Sequence, residues 1–99
     1  MEIKQEKNGN ELTIYLDGRL DTTTSPKLEQ ELKDYLDDNT KKLVIDLEKL
    51  EYMSSAGLRV LLQAQKRMNK QGEMVVRNVN DTIKDIFEVT GFSDILTVE

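Results

Sequence analysis

The chain has 99 residues, a net charge of −5, no histidine and no cysteine. That length suits one core and one domain over residues 1–99. Without His or Cys there is no Ser-His-Asp triad, no imidazole acid or base, no ordinary zinc site, no disulfide framework and no thiol nucleophile.

The acidic balance disfavours nucleic acid, which selects basic surfaces. No apolar run approaches the ~20 residues of a membrane span, so no membrane insertion is expected. The acidic first residues do not fit a signal peptide, and the expected location is cytoplasmic.

Glu2 to Glu6 opens the chain, followed by Asn8-Gly9 and then Glu11 to Asp17. Leu12, Ile14 and Leu16 alternate with Thr13, Tyr15 and Asp17, the pattern of a half-buried strand. Asn8-Gly9 offers the positive-φ residues of a tight hairpin, so the first two strands are expected to pair antiparallel. Ser25-Pro26 reads as N-cap and first helical residue. The helix that follows, over 26–37, carries Leu28, Leu32 and Leu36 at fourfold spacing with Tyr35 beside them, and Glu29 pairs with Lys33 outside.

Leu43-Val44-Ile45 is a continuous apolar run, the pattern of a central strand covered on both faces. A second helix is expected over 56–70, burying Leu58, Leu61, Leu62 and Met68. Its other face shows Arg59, Gln63, Lys66, Arg67 and Lys70, most simply a solvated face. Met74-Val75-Val76 reads as a buried strand within 73–77. Asn80 or Asp81 then caps a helix that turns Ile83, Ile86 and Phe87 inward and closes near Gly91, and Ile95 to Val98 is a short edge strand. The order ββαβαβα(β) predicts an α/β fold: a mixed, mainly parallel sheet with helices packed on it.

In such sheets, function collects in the loops after the carboxyl ends of the strands. These are Gly18 to Ser25, with Asp21, Thr22, Thr23 and Thr24, and Glu48 to Gly57, with Ser54 and Ser55. Structurally, a serine there is a helix cap and Asp with Thr fills a turn. A hydroxyl at a helix N-terminus also suits phosphorylation, because free amides and a partial positive charge meet an anion there. Asp46, ending the central strand, would be the acceptor in a receiver domain. No acidic pair ends the first strand to hold the magnesium that such a domain needs.

Two segments, Leu43-Val44-Ile45-Asp46-Leu47 and Tyr52-Met53-Ser54-Ser55-Ala56-Gly57-Leu58, resemble the signature of anti-sigma factor antagonists in the sulfate transporter and anti-sigma factor antagonist (STAS) domain family. Asp17-Gly18-Arg19-Leu20-Asp21 is similar to the family's Gly-x-Leu/Ile-Asp turn, and Val79 to Phe92 to its third helix with the Thr-Gly-Phe close. The resemblance covers nearly the whole chain in order.

It implies a non-enzymatic partner-switching protein without a cofactor of its own. Its unphosphorylated form binds an anti-sigma factor that is a serine protein kinase, and so releases a sigma factor. Phosphorylation by that kinase, whose ATP and magnesium belong to the kinase, ends the binding, and a serine phosphatase restores it. Counting back from Gly57 places the acceptor on Ser55. The implied partner surface holds Asp21, Thr22, Thr23, Thr24, Ser54, Ala56, Gly57, Leu58 and Arg59.

Ser54 stands where the family has aspartate, and Ala56 replaces its second hydroxyl residue. The first departure keeps a second reading open, an unphosphorylated STAS scaffold or adaptor within a signalling or transport assembly. The family's usual final helix would lie beyond Glu99. The remaining rivals are weaker: no glycine run cradles a nucleotide's phosphate, and a serine hydrolase would have only Lys or a carboxylate as base.

Overall fold

The computed structural model describes residues 1–99 throughout. Strands β1 (Glu2–Asn8) and β2 (Glu11–Leu20) form the expected antiparallel hairpin. Its two-residue loop is Gly9-Asn10 rather than Asn8-Gly9, since Asn8 pairs with Glu11. Gly9 takes φ 64° while neither asparagine beside it has positive φ. A glycine at the first central position is the type II′ arrangement, whose twist matches the flanking strands.

Helix α1 (Ser25–Tyr35) leads to β3 (Lys42–Met53), α2 (Ser55–Gln71), β4 (Glu73–Arg77) and α3 (Asp81–Thr90). The strands lie in the order β1-β2-β3-β4, with β2, β3 and β4 parallel. Each parallel connection crosses over through a helix, as expected from the alternation of patterns.

The sheet has one helical face. Leu12, Ile14, Leu16, Leu43, Ile45, Leu47, Met74 and Val76 join the apolar residues of all three helices in one cluster of 22 buried side chains. Val44 and Val75, at 3% and 5% exposure, are buried but lie outside that cluster. The expectation that Leu43-Val44-Ile45 has helices on both faces is therefore corrected. Two crossovers of the same hand in the order β2, β3, β4 put both helices on one side. On the other side a Thr13–Val44–Val75 row runs between two polar rows, Glu11–Lys42–Glu73 and Tyr15–Asp46–Arg77.

Several expected details shift. Within α2, Leu62 is half-buried, while Val60, Ala64 and Gln65 are buried beside Leu58, Leu61 and Met68. Ile86 of α3 is half-buried and Tyr35 of α1 is exposed. Asn80 caps α3 by accepting from Ile83 N–H at 2.9 Å, and Gly91 closes it in the left-handed conformation. The predicted strand over 95–98 reduces to a single parallel bridge from Val98 to Val76, preceded by a short 3₁₀ turn at Phe92–Asp94.

Candidate functional site

The two segments after the carboxyl ends of β2 and β3 meet at the start of α2. The expected loop over 48–57 is not a loop, because β3 runs on to Met53. Two register shifts against β2, near Asp17 and Arg19, carry the pairing past Asp46 and finish it at Leu20–Met53. Each shift places an extra residue on β3, and such bulges bend the strand and increase its twist. Only Ser54 separates β3 from α2, and its N–H donates to Leu20 C=O at 2.8 Å. The end of β2 thus fixes the first turn of α2.

Gly57 explains how close that approach is. A Cβ built there would lie 2.7 Å from Leu20 Cγ and Cδ2 and 3.1 Å from Met53 Cγ. Gly57 and Leu58 are buried, so within the expected partner set they hold the helix rather than face outward. Ser55 is exposed as the first residue of α2, Ala56 is half-buried, and Arg59 is exposed one turn on.

Ser54 sits at the N-cap position, yet its side chain caps nothing, and its Oγ is shielded from water without a partner. The first helical bond runs from Leu58 N–H to Ser54 C=O at 3.0 Å. The amides of Ser55, Ala56 and Gly57 point out of the helix end, as the first amides of any helix do. With no acidic residue in the first turn, this N-terminus presents its partial positive charge next to an accessible hydroxyl.

Beside it, Asp21 organises the segment before α1. Its Oδ1 accepts from Thr23 N–H at 2.9 Å, Thr23 hydroxyl at 2.7 Å and Thr24 N–H at 3.1 Å. These bonds, the Thr23 hydroxyl first, hold its carboxyl below the ordinary carboxylate range against a smaller desolvation cost. Ser25 is corrected from N-cap to first helical residue: it is 3% exposed, and its hydroxyl donates to Asp21 C=O at 2.6 Å. Thr24 holds the N-cap position without a side-chain cap bond, and Asp21 instead closes the turn ahead of the helix, its carboxylate satisfying amides two and three residues on. Thr24 is half-buried, while Thr22 and Thr23 are exposed.

Sequence patterns missed two residues at this end of the sheet. Arg19 lies over the Tyr52 ring, 4.6 Å from its centroid, and the pair is directly opposed across β2 and β3. Cation–π pairing at exposed sites contributes about 0.5–1 kcal/mol, enough to orient both side chains.

Asp46 is a structural latch. Its Oδ1 accepts from Glu48 N–H at 3.0 Å, and its Oδ2 from Arg77 Nε at 2.9 Å and Asn78 Nδ2 at 3.0 Å. The side chain is 6% exposed, so no carboxylate oxygen is free for the phosphoryl transfer of a receiver domain. Burial pushes its pKa up, but the bonds from Glu48, Arg77 and Asn78 together win and the pKa is lowered.

A lowered folded-state pKa stabilises the fold above the ordinary value near 4, and this contribution fades as pH falls through the folded-state value. Asp46→Asn should therefore cost about 1–3 kcal/mol at pH 7. Urea unfolding at pH 7 and pH 3 should show the gap from wild type narrowing at pH 3; an unchanged gap would mean the charge is not the source.

An exposed serine at the head of a helix wedged against a mixed sheet, with an aspartate-bonded turn beside it, marks one end of a small α/β domain. A STAS domain model matches residues 2–99, and the chain belongs to the STAS domain family. It is 35% identical over 100 residues to the anti-sigma-B factor antagonist of Listeria monocytogenes, covering 100% of this chain and 87% of that protein. It is 34% identical over 86 residues to the anti-sigma-B factor antagonist of Staphylococcus aureus, covering 86% of this chain and 80% of that protein.

Among solved structures, the Bacillus protein SpoIIAA shares the fold at 17% identity. Its unphosphorylated form superposes with a TM-score of 0.84 over 99% of this chain and 88% of that one. The phosphorylated form gives 0.77 over 99% and 91%.

Proposed function

We propose that this chain is an anti-sigma factor antagonist acting in the cytoplasm, switched by phosphorylation of Ser55. Unphosphorylated, it binds an anti-sigma factor that is itself a serine kinase and thereby frees a sigma factor. The kinase phosphorylates Ser55 and the complex separates; a serine phosphatase returns the domain to its binding form. The domain supplies no catalytic group, and its contact surface is the exposed end of the sheet: Thr22, Thr23, Ser55 and Arg59, with Arg19 and Tyr52. Asp21, Thr24, Ser54, Ala56, Gly57 and Leu58 shape that surface from beneath.

The observation that carries this reading is the exposed Ser55 at the first position of α2, in a chain aligned end to end with named anti-sigma-B factor antagonists. The neighbouring amides and helix dipole tolerate the phosphate, so modification changes the surface without opposing the fold.

Incubation with candidate anti-sigma kinases and ATP, followed by intact-mass measurement, tests it. One phosphate should be gained by the wild type and none by Ser55→Ala. Equal labelling of Ser55→Ala rejects the site, and labelling confined to Ser54 moves it by one residue. Ser54, standing where the family has aspartate, keeps the scaffold reading as the second one. It predicts stable binding within a larger assembly and no phosphate from any such kinase.

A further inference from the structure

We propose that β1 is a self-association edge through which two copies of this chain pair antiparallel into one continuous sheet. The two edges of the sheet differ. Beyond β4, Val76 N–H donates to Thr97 C=O and Glu99 N–H to Val76 C=O, each at 2.8 Å, so that edge is partly covered. β1 has β2 on one side and nothing on the other. It is seven residues long, pairs with β2 without a register shift, and contains no proline. A seven-residue edge with neither bulge nor proline lacks two of the usual guards against pairing with another strand.

The hairpin fixes which groups face out. A two-residue loop closes on the Asn8–Glu11 pair, which is therefore hydrogen-bonded, and bonded pairs alternate along the ladder. Asn8, Glu6, Lys4 and Glu2 thus point their backbone groups at β2. Ile3, Gln5 and Lys7 point theirs away from the sheet.

A second β1 must align odd residues with odd residues to use those groups, which leaves few registers. The register with full overlap centres Gln5 on Gln5 of the second copy, pairs Ile3 with Lys7, and sets Lys4 opposite Glu6 twice. Those Lys–Glu pairs stand in the non-bonded positions, where side chains approach most closely. Sliding by two residues puts Lys4 on Lys4 and Glu2 on Glu6. Alternating charges usually protect an edge, but here they oppose every neighbouring register and favour one.

The helix-facing side adds a second feature. Met1, Ile3, Lys27, Gln30 and Glu31 line a groove of about 270 Å³ beside this edge. One carboxylate oxygen of Glu31 is shielded there without a hydrogen-bond partner. In the full-overlap register, Lys7 of the second copy stands opposite Ile3, at that groove.

Sedimentation equilibrium of the intact protein tests this. The wild type should shift with concentration from 11.4 kDa toward twice that mass. Lys4→Glu turns two attractive pairs repulsive and should weaken association about tenfold. Glu6→Lys should do the same. An equimolar mixture of the two variants should associate again, because each then meets its complement, and this restoration also excludes a folding defect. Gln5→Pro removes only an outward N–H and should leave a folded monomer.

A wild type that stays monomeric up to ~1 mM, beyond the range of weak specific contacts, overturns the proposal. So does a Lys4→Glu variant that associates as well as wild type. Protection of the Ile3, Gln5 and Lys7 amides only when a different protein is added would assign the edge to a foreign strand instead.

Discussion

Ser55→Asp is expected to keep the fold intact and to weaken binding to the anti-sigma partner, while Ser55→Ala binds about as well as wild type. Fold stability should hold or rise slightly. The first turn of α2 has no acidic residue, and a carboxylate there gains about 0.3–1 kcal/mol from the helix dipole.

Binding responds in the opposite direction. Phosphoserine adds about −1.5 to −2 charges to a chain already at −5, in a surface shaped around a neutral hydroxyl. A like charge ~4 Å away across a partly desolvated interface costs up to about 4 kcal/mol. At ~1.4 kcal/mol per decade, phosphorylation should lower affinity by about two to three orders of magnitude. Aspartate, with one charge, should do less. Calorimetric titration at two ionic strengths checks the origin, since an exposed repulsion shrinks with salt over a Debye length of ~8–10 Å. Equal affinity for wild type, Ser55→Asp and phosphorylated protein would reject the switch and leave the scaffold reading.

The sequence made the elements legible where a single period ran undisturbed. Leu12-Ile14-Leu16 announced β2, and Leu28, Leu32 and Leu36 announced the inner face of α1. β3 was cut short because its later alternation is broken: Leu50 and Met53 are buried three positions apart, with two exposed residues between them. Bulges against β2 cause that spacing, and a bulge is set by long-range register rather than by its own residues.

Val44 misled for a related reason. It is buried at 3%, which reads as coverage by a helix, yet its neighbours on that face are residues of its own sheet. The Asp46 latch joins residues 31 and 32 positions apart, and Gln71 closes the turn after α1 by donating to Asp37 C=O and Thr40 C=O at 2.7 and 2.8 Å. No local pattern encodes such pairs. At the candidate site, Ser55 was legible through its offset from Gly57, whereas the Arg19–Tyr52 pair depends on the shifted register.

Gly57→Ala carries the second large effect, and it tests how α2 is held in place. In most helix positions this change is favourable by up to about 1 kcal/mol, since alanine has the higher propensity. Here the new methyl meets the middle of the fully buried Leu20 side chain at 2.7 Å and Met53 Cγ at 3.1 Å. Crowding of that kind costs about 1–3 kcal/mol in a packed core. The propensity gain is smaller at the first turn, so a net loss of about 1–2 kcal/mol is expected. For a domain of this size each kcal/mol shifts Tm by about 4–8 °C, giving a fall of roughly 5–15 °C.

The contact also makes a pairwise claim. Leu20→Ala removes both obstructing carbons, Cγ and Cδ2, so Gly57→Ala should cost less in that background. The coupling in a double-mutant cycle should be about 0.5–1 kcal/mol, within the range for residues in contact. Thermal unfolding of the four proteins measures it. Strict additivity would show that α2 is positioned by something other than the Gly57–Leu20 contact. A coupled loss, with Ser55 phosphorylated more slowly in Gly57→Ala than in wild type, would tie the packing beneath the helix to the hydroxyl at its end.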